Sequence, residues 1–374
     1  MQQEKMRPIP YVNLAAQWEA EREKLLPIVE KVLASGQYIG GSIIEDFEEQ
    51  AAKLCQTKHC VALNSGTDAL VCSLVALGVV AGDEVITPPN SFIASTAAIA
   101  HLRAIPVFVD VLPDQNIDPT LIERAITPKT KAIMPVHLTG RVARMDAIVE
   151  IADKHKIPIV EDSAQSIGSK YQGVPSGKWG KVGCFSAHPL KNLNACGDAG
   201  FLVTDDENIA RQVRLMRNHG LVDRNTVERF GYVSRMDALQ AAILIYRLAE
   251  LDSTIDKRRK NAKIYLENLD RSQAFIPDEL PDEFNTYHTF VIQVERRDEL
   301  KEYLASQGIQ TSIHYPVPIH LQPAAEYLGH KKGDFPATEQ QAQKILTLPV
   351  HQHLKEQDVL DICNKVNGFF DLHS

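Results

Sequence analysis

Short apolar runs alternate with helix-like stretches through the first half of this chain of 374 residues. The runs lie at residues 83–87, 105–109, 132–136 and 158–160, and each contains Val or Ile. Parallel strands need a long crossover between them, usually a helix, and a sheet covered by helices on both faces consists of continuous apolar strands. The pattern therefore predicts an α/β fold built on a mainly parallel sheet.

The last third of the chain shows the same elements on a smaller scale. Residues 239–251 are apolar on several faces, which is typical of a buried or interface helix. A charged stretch then begins a long connecting helix at Leu251. Beyond it we expect strands at residues 290–294 and 309–313 with a helix at residues 296–307 between them.

The length of the chain suits two or three domains, and its 44% hydrophobic content is enough for a large core. We therefore predict a large domain at residues 1–250, which includes the N-terminal segment. A smaller α+β domain with the connecting helix is predicted at residues 251–374.

Lys191 lies in the segment CFSAHPLKNLN at residues 184–194, ahead of a GDAG turn and an apolar run at residues 201–204. This order predicts a lysine on a loop at the rim of a buried sheet. A desolvated amine loses its proton more readily and becomes nucleophilic, so such a lysine can form a Schiff base with an aldehyde cofactor. Most lysines are instead solvated surface charges, and this segment alone leaves that interpretation open.

Two further segments supply what such a cofactor needs. NSGTDA at residues 64–69 follows an apolar run and precedes a helical pattern, so its amides and hydroxyls suit a phosphate at a helix N-terminus. IPIVEDSAQ at residues 157–165 reads as a buried strand that ends near Asp162. A carboxylate there could keep a pyridine nitrogen protonated, which makes the cofactor an electron sink. Each segment could also be only a helix N-cap.

Taken together, these segments and several others resemble the DegT/DnrJ/EryC1/StrS family of sugar aminotransferases, over nearly the whole chain. Members of that family have the fold of aspartate aminotransferase (fold type I), with a seven-stranded type of sheet in the large domain. The matching segments are PYVNLAAQ at 10–17, SGQYIG at 35–40, SGTDAL at 65–70, GDEVITP at 82–88, PVFVD at 106–110, EDSAQ at 161–165, the Lys191 segment, SRMDALQAA at 234–242 and HYPVPIHLQ at 314–322.

The resemblance implies pyridoxal 5'-phosphate as cofactor, bound to Lys191 as an internal aldimine, with Lys191 also moving protons. Asp162 is expected at the pyridine nitrogen, and Lys191 and Asp162 are the predicted catalytic residues. Phe92 is expected to stack on the ring, although core packing is its other interpretation. The remaining implied cofactor contacts are Gln165 at the phenolic oxygen and, around the phosphate, Gly66, Thr67, Asp68 and Ser186.

The resemblance further implies transfer of an amino group from L-glutamate to a nucleotide-linked keto-sugar, as in amino-sugar and surface-polysaccharide biosynthesis. The segment at residues 314–320 is closer to members that aminate C-3 than to those that aminate C-4. His314, Tyr315 and Arg235 are the predicted substrate contacts, and the guanidinium fork suits a phosphate. His188 is also predicted near the cofactor or substrate. Each of these residues could instead be a structural hydrogen bonder.

The chain departs from the family at Val233, where members usually have an asparagine that reaches the phosphate from the neighbouring subunit. Valine cannot donate a hydrogen bond. Two alternatives stay open: a sugar dehydratase or eliminase on the same scaffold, and a cofactor-binding regulatory protein without catalysis. The dehydratase branch carries histidine in place of the lysine, so Lys191 favours transamination.

Composition excludes several other classes of function. The net charge is −8 and no basic run is present, which argues against nucleic-acid binding. The six cysteines form no C-x-x-C pair or zinc-type cluster, so we predict no metal site and reduced thiols. No apolar run is long enough for a signal peptide or a membrane span. We therefore expect a cytoplasmic enzyme, and the resemblance implies a homodimer that shares its active sites.

Overall fold

The computed structural model describes residues 8–371. Its α-helices are α1 (Leu14–Ser35), α2 (Ser42–Leu54), α3 (Gly66–Ala76), α4 (Ile93–His101), α5 (Ile122–Ala125), α6 (Met145–His155), α7 (Glu207–Met216), α8 (Ala238–Ala249), α9 (Leu251–Asn268), α10 (Arg297–Ser306), α11 (Pro336–Lys344) and α12 (Glu356–Asp371). Single turns of 3-10 helix lie at Pro119–Leu121, Leu138–Gly140 and Ile319–Leu321, and a longer one lies at Pro323–Leu328.

The strands are short, with two to five residues each. They are β1 (His59–Leu63), β2 (Glu84–Thr87), β3 (Ile105–Phe108), β4 (Thr130–Ile133), β5 (Val160–Asp162), β6 (Lys170–Tyr171), β7 (Val174–Pro175), β8 (Val182–Ser186), β9 (Gly200–Thr204), β10 (Glu283–Phe284), β11 (Phe290–Gln293) and β12 (Ile345–Leu348).

The central sheet has the strand order β1-β9-β8-β5 on one side and β4-β2-β3 on the other. Parallel bridges between Ile133 and Ile159 and between Val136 and Asp162 join the two parts. Within the sheet, β9 runs antiparallel to both neighbours, and the other pairings are parallel. The predicted α/β class with a mainly parallel sheet is confirmed.

Helices bury both faces of this sheet. On β1, Val61 packs in a cluster with α3, α4 and α7, whereas its neighbour Ala62 packs in a cluster with α2 and α8. On β9, Leu202 and Val203 divide between the same two clusters. Successive side chains of a strand point to opposite faces, so a sheet covered on both sides requires apolar residues at every position. This requirement explains the continuous apolar runs in the sequence.

The C-terminal part of the chain has a core of its own, formed by residues from Ala262 to Phe370 around the antiparallel pair β11–β12. Ile9 joins this core, and its amide donates to the Gly308 carbonyl at 2.9 Å. The N-terminal segment thus contacts the C-terminal core, whereas the predicted division places it in the large domain; the boundary at residue 250 stays a prediction.

The strand expected at residues 309–313 was wrong. Only isolated bridges form there, from Ile309 to Ile9 and from Ser312 to Thr347. The reason is that the segment exchanges hydrogen bonds with two different partners instead of running along one of them. The helix expected beside it is present as α10. Within residues 8–371, no helix is both long and apolar enough to cross a membrane.

Candidate active site

A cavity of about 460 Å³ opens at the carboxyl-terminal edge of the sheet. β1, β5 and β8 run in the same direction, so the residues after them meet at one edge. Asp162 is the last residue of β5 and Ser186 is the last of β8. Ligands of open α/β sheets bind at this edge. Of the predicted site residues, those that line the cavity are Gly66, Thr67, Phe92, Asp162, Gln165, Ser186, His188, Lys191, His314 and Tyr315.

The turn from β1 into α3 forms one end of the cavity. The Ser65 hydroxyl caps α3 by accepting from the Asp68 amide at 3.1 Å. Gly66 packs so closely on Ser186 that an added Cβ would lie 2.7 Å from the Ser186 Cβ. The first amides of a helix have no acceptor within it and, with the helix dipole, favour an anion. The arrangement fits a phosphate at Gly66 and Thr67.

Asp162 is buried, with 4% of its surface exposed. Its Oδ2 accepts from the Ser95 hydroxyl at 2.7 Å, and its Oδ1 accepts from the Ala164 amide at 3.2 Å. Hydrogen bonds donated to both of its oxygens fix the orientation of this carboxylate. A ring nitrogen beside this carboxylate would therefore hold its proton.

Lys191 lies on the loop after β8 and lines the same cavity. Burial lowers the pKa of its amine to about 8, and the nearby Asp162 carboxylate opposes this shift by favouring the ammonium form. Desolvation is the larger of the two effects, because it removes water from the charged group. An amine with this pKa is partly unprotonated near neutral pH, as a nucleophile or a general base requires.

Gln165, Tyr315 and Phe92 line the same cavity as Lys191 and Asp162. The Gln165 Oε1 accepts from the Thr139 amide at 2.8 Å, which leaves Nε2 as the donor; it reaches the Tyr315 hydroxyl at 3.4 Å. Burial, then Asp162, raises the pKa of Tyr315, so its hydroxyl is neutral. The Phe92 ring is 55% exposed and its centroid lies 5.8 Å from that of Tyr315. It is therefore a flat apolar surface open to the cavity, not a core residue.

The two predicted histidines have different environments. The His314 Nδ1 lies 2.9 Å from the Thr347 hydroxyl, and burial with the charge of Lys191 lowers the pKa of His314 to about 4. His314 is therefore neutral at physiological pH. His188 is exposed, and its Nδ1 accepts from the Leu190 amide at 3.3 Å.

Asp68 and Arg235 do not line the cavity of this chain. The amide of Asp68 is bonded to Ser65, and Arg235 Nη1 donates to the Asn218 side chain at 3.1 Å. Their predicted contacts with cofactor and substrate stay predictions.

Sequence reasoning missed several residues of the cavity wall. Ser95 holds Asp162 from α4, and no motif in the sequence singles it out. Tyr11 lies within a segment that carried the family resemblance, so the signal was present but had no role attached to it. Three more of the missed residues come from α9 and the loops of the C-terminal part, far from the motifs along the chain: Arg258, His288 and His351.

The family comparison agrees with this geometry. The model of the DegT/DnrJ/EryC1/StrS aminotransferase family matches residues 19–367. The chain belongs to this family.

Individual relatives extend over nearly the whole chain. A dTDP-3-amino-3,4,6-trideoxy-alpha-D-glucose transaminase from Streptomyces venezuelae is 41% identical, covering 96% of this chain and 95% of the relative. A protein from Geobacillus stearothermophilus named "Pleiotropic regulatory protein" is 38% identical, covering 97% and 98%.

Two solved structures share the fold. DesV of S. venezuelae, in complex with a ketimine intermediate, has a TM-score of 0.95 at 41% identity and covers 97% of this chain and 98% of its own. NtdA of Bacillus subtilis, with bound cofactor PMP, has a TM-score of 0.89 at 33% identity, with 98% and 87% covered. The predicted fold type is therefore confirmed.

As a member of this family, the protein is an aminotransferase that depends on pyridoxal 5'-phosphate. The cavity fits that cofactor: it combines the α3 N-terminus, a buried carboxylate, an exposed ring and a lysine of lowered pKa. When bound, the cofactor supplies an electron sink that stabilises negative charge at the substrate carbon that loses its proton.

Proposed function

We propose that this aminotransferase moves the amino group of L-glutamate to a nucleotide-linked 3-keto sugar. The observation that carries this proposal is that Lys191, with a pKa of about 8, and the buried Asp162 line one cavity beside the α3 N-terminus. The name of the S. venezuelae relative, a 3-amino sugar transaminase, supports amination at C-3 rather than C-4. The product would serve amino-sugar or surface-polysaccharide biosynthesis.

In this proposal Lys191 has two tasks. It holds the cofactor's aldehyde carbon covalently between turnovers, and once freed it takes the proton from Cα of the donor and delivers a proton at C4′ of the cofactor. In the second half-reaction it moves protons in the opposite direction. Asp162, fixed by Ser95, keeps the ring nitrogen protonated throughout.

Other residues hold the cofactor and orient it. The amides of Gly66 and Thr67 and the Ser186 hydroxyl bind its phosphate. Asp68 follows in the first turn of α3, where its amide donates to the Ser65 hydroxyl. Gln165 donates to the phenolic oxygen through Nε2, since its Oε1 is already bonded to Thr139. Phe92 covers the ring face.

The acceptor sugar is expected between His188, His314 and Tyr315. Neutral His314 and Tyr315 offer hydrogen bonds to sugar hydroxyls without adding charge. We propose that Arg235, which does not line the cavity of its own chain, contacts the diphosphate across a homodimer interface. In support, Tyr232 and Val233, which precede it, are each 53% exposed. The six cysteines are free thiols, which supports a cytoplasmic enzyme.

Absorbance spectroscopy of the purified protein tests the proposal. We expect a cofactor band that L-glutamate converts to the pyridoxamine form and that a 3-keto nucleotide sugar restores, while a 4-keto sugar restores it more slowly. Folded Lys191→Ala should lose turnover altogether. A band indifferent to L-glutamate would contradict the proposal and favour an elimination or a regulatory role, the latter in line with the name of the G. stearothermophilus relative.

A further inference from the structure

Arg258 of α9 is a buried cation in the cavity wall without a matching anion. Its side chain is 6% exposed and lines the cavity. Nη1 donates to the backbone carbonyls of Tyr287 at 3.3 Å and His288 at 3.1 Å. Nε is buried and has no acceptor, and the hydrogen bonds that the guanidinium forms within residues 8–371 are the two donated by Nη1. Among residues 8–371, no carboxylate forms an ion pair with Arg258.

A charge in this position destabilises the protein unless something pairs with it. Burial lowers the pKa of Arg258 to about 10, so the guanidinium is still charged at neutral pH. Removing a cation from water without an anion is costly, and an orphaned donor adds to that cost. The acids that line the cavity are Asp162, already bonded to Ser95, and Asp198. The missing counter-charge is therefore expected from a ligand.

The groups around Arg258 indicate which anion fits. Burial raises the pKa of Tyr11, and burial with the charge of Arg258 lowers the pKa of His351 to about 4. The pKa of His288 is also well below its usual value, owing to burial and then to Lys191 and Arg258. These neighbours are all neutral at pH 7. A sugar diphosphate would need several cationic donors, whereas a single guanidinium with unused donors on Nη2 matches one carboxylate.

We propose that Arg258 binds a carboxylate of the amino donor. The inference rests on the proposed transamination from L-glutamate and assigns it a binding residue. Arg258 and Lys191 line the same cavity, so a donor whose Cα faces Lys191 can place a carboxylate at this guanidinium. Arg258 is thus a specificity residue for anionic donors.

The test compares amino donors in the first half-reaction of the holoenzyme. The reaction is monitored as the loss of the absorbance band of the cofactor. The donors are L-glutamate, L-glutamine, which lacks the side-chain carboxylate, and L-isoglutamine, which lacks the α-carboxylate. The variants are Arg258→Gln and Arg258→Lys. Arg259→Gln is the matched control, because Arg259 lies next on α9, pairs with Glu279 at 2.7 Å and bonds the Asn285 carbonyl at 2.6 Å, but does not line the cavity.

We expect Arg258→Gln to raise the half-saturating concentration of L-glutamate about ten- to a hundredfold, since a charge-assisted hydrogen bond is lost. Arg258→Lys should give a smaller rise, and Arg259→Gln should stay within about twofold of the wild type. Either L-glutamine or L-isoglutamine should bind poorly to the wild type, and its half-saturating concentration should not rise further in Arg258→Gln. That amide identifies the carboxylate that Arg258 holds.

Two results would overturn the inference in distinguishable ways. If the wild type converts L-glutamate but Arg258→Gln weakens all three donors equally, or none of them, Arg258 only supports the backbone of residues 287–288. If the wild-type holoenzyme does not respond to L-glutamate, the proposed function fails and this inference fails with it. Circular dichroism of each variant shows that the comparison is made on folded protein.

Discussion

The chemistry of the site depends on one amine whose proton is easily lost. Lys191 lies in a cavity where burial outweighs the attraction of Asp162, and the pKa of about 8 follows from that balance. A surface lysine with its ordinary pKa would be almost fully protonated at pH 7 and could not attack an aldehyde. Burial thus supplies at the scale of one residue what a separate base would otherwise have to supply.

The first prediction concerns pH. Capture of pyridoxal 5'-phosphate by the apoprotein requires the unprotonated amine of Lys191, so its rate should rise about tenfold per pH unit below pH 8 and level off above it. Stopped-flow absorbance between pH 6 and 9.5 measures this rate. Lys191→Ala should leave the spectrum of the free cofactor unchanged at every pH. A rate that is still rising steeply at pH 9.5 would show that the amine has its ordinary pKa.

The second prediction concerns Asp162. Asp162→Asn keeps the shape of the side chain but removes the charge that would hold the ring nitrogen protonated, so turnover should fall about a hundredfold or more. Cofactor binding should change much less, because the phosphate contacts are intact. Steady-state kinetics and a cofactor titration separate the two effects. Ser95→Ala, which removes only one hydrogen bond to Asp162, should cost about tenfold or less.

At the scale of elements, the β1–α3 turn shows how local sequence builds a binding site. Ser65 caps α3, and Gly66 allows the turn to approach Ser186. Gly200 at the start of β9 gives the same freedom from the other side, since an added Cβ would lie 2.2 Å from the Ser65 carbonyl carbon. Three elements therefore meet at the amides that face the cavity.

The third prediction belongs to this turn. A methyl group at Gly66 would lie 2.7 Å from the Ser186 Cβ and 3.3 Å from its Oγ, so Gly66→Ala should displace both phosphate contacts and weaken cofactor binding about tenfold or more. Gly368→Ala in α12 is the control, because nothing lies within 4 Å of its added Cβ. That control should leave cofactor affinity unchanged and stabilise the protein by about 0.5–1 kcal/mol. Equal cofactor affinities in the two variants would show that this turn does not bind the phosphate.

At the scale of the molecule, the segment between α7 and α8 exposes apolar side chains that would normally be buried. Phe230 is 98% exposed, and Val222, Val227, Tyr232 and Val233 are each about half exposed. Such a concentration of exposed apolar side chains in one segment is typical of an interaction surface. The predicted homodimer would cover it and bring Arg235 of one subunit to the cavity of the other.

The fourth prediction tests that assembly. Phe230→Asp changes a residue with almost no contacts in its own chain, so an isolated subunit should keep its stability. In a dimer the same charge would be buried at the interface, and we expect dissociation to monomers together with a loss of turnover. Light scattering coupled to gel filtration measures the mass. Tyr327→Asp, at another aromatic residue that is 65% exposed, should remain dimeric.

Sequence alone determined the features that depend on neighbours along the chain. The predicted apolar runs coincide with β2 and β3 and overlap β4 and β5, since a sheet buried on both faces allows few polar positions, whereas β8 was not predicted. The Ser65 cap, the position of Asp162 at the end of β5 and the loop that carries Lys191 were predictable for the same reason, because each is set by the residues immediately around it. Family resemblance then supplied the cofactor.

Only the tertiary structure decided what distant segments do to one another. The bridges at Ile309 and Ser312 replaced a predicted strand because that backbone pairs with two remote partners, Ile9 and Thr347, in turn. In the sequence, Arg258 looks like any charged residue of a helix. It is a buried cation only because α9 packs against the loop at Tyr287 and His288. Burial, pKa and counter-charge are properties of the three-dimensional surroundings, so no local pattern encodes them.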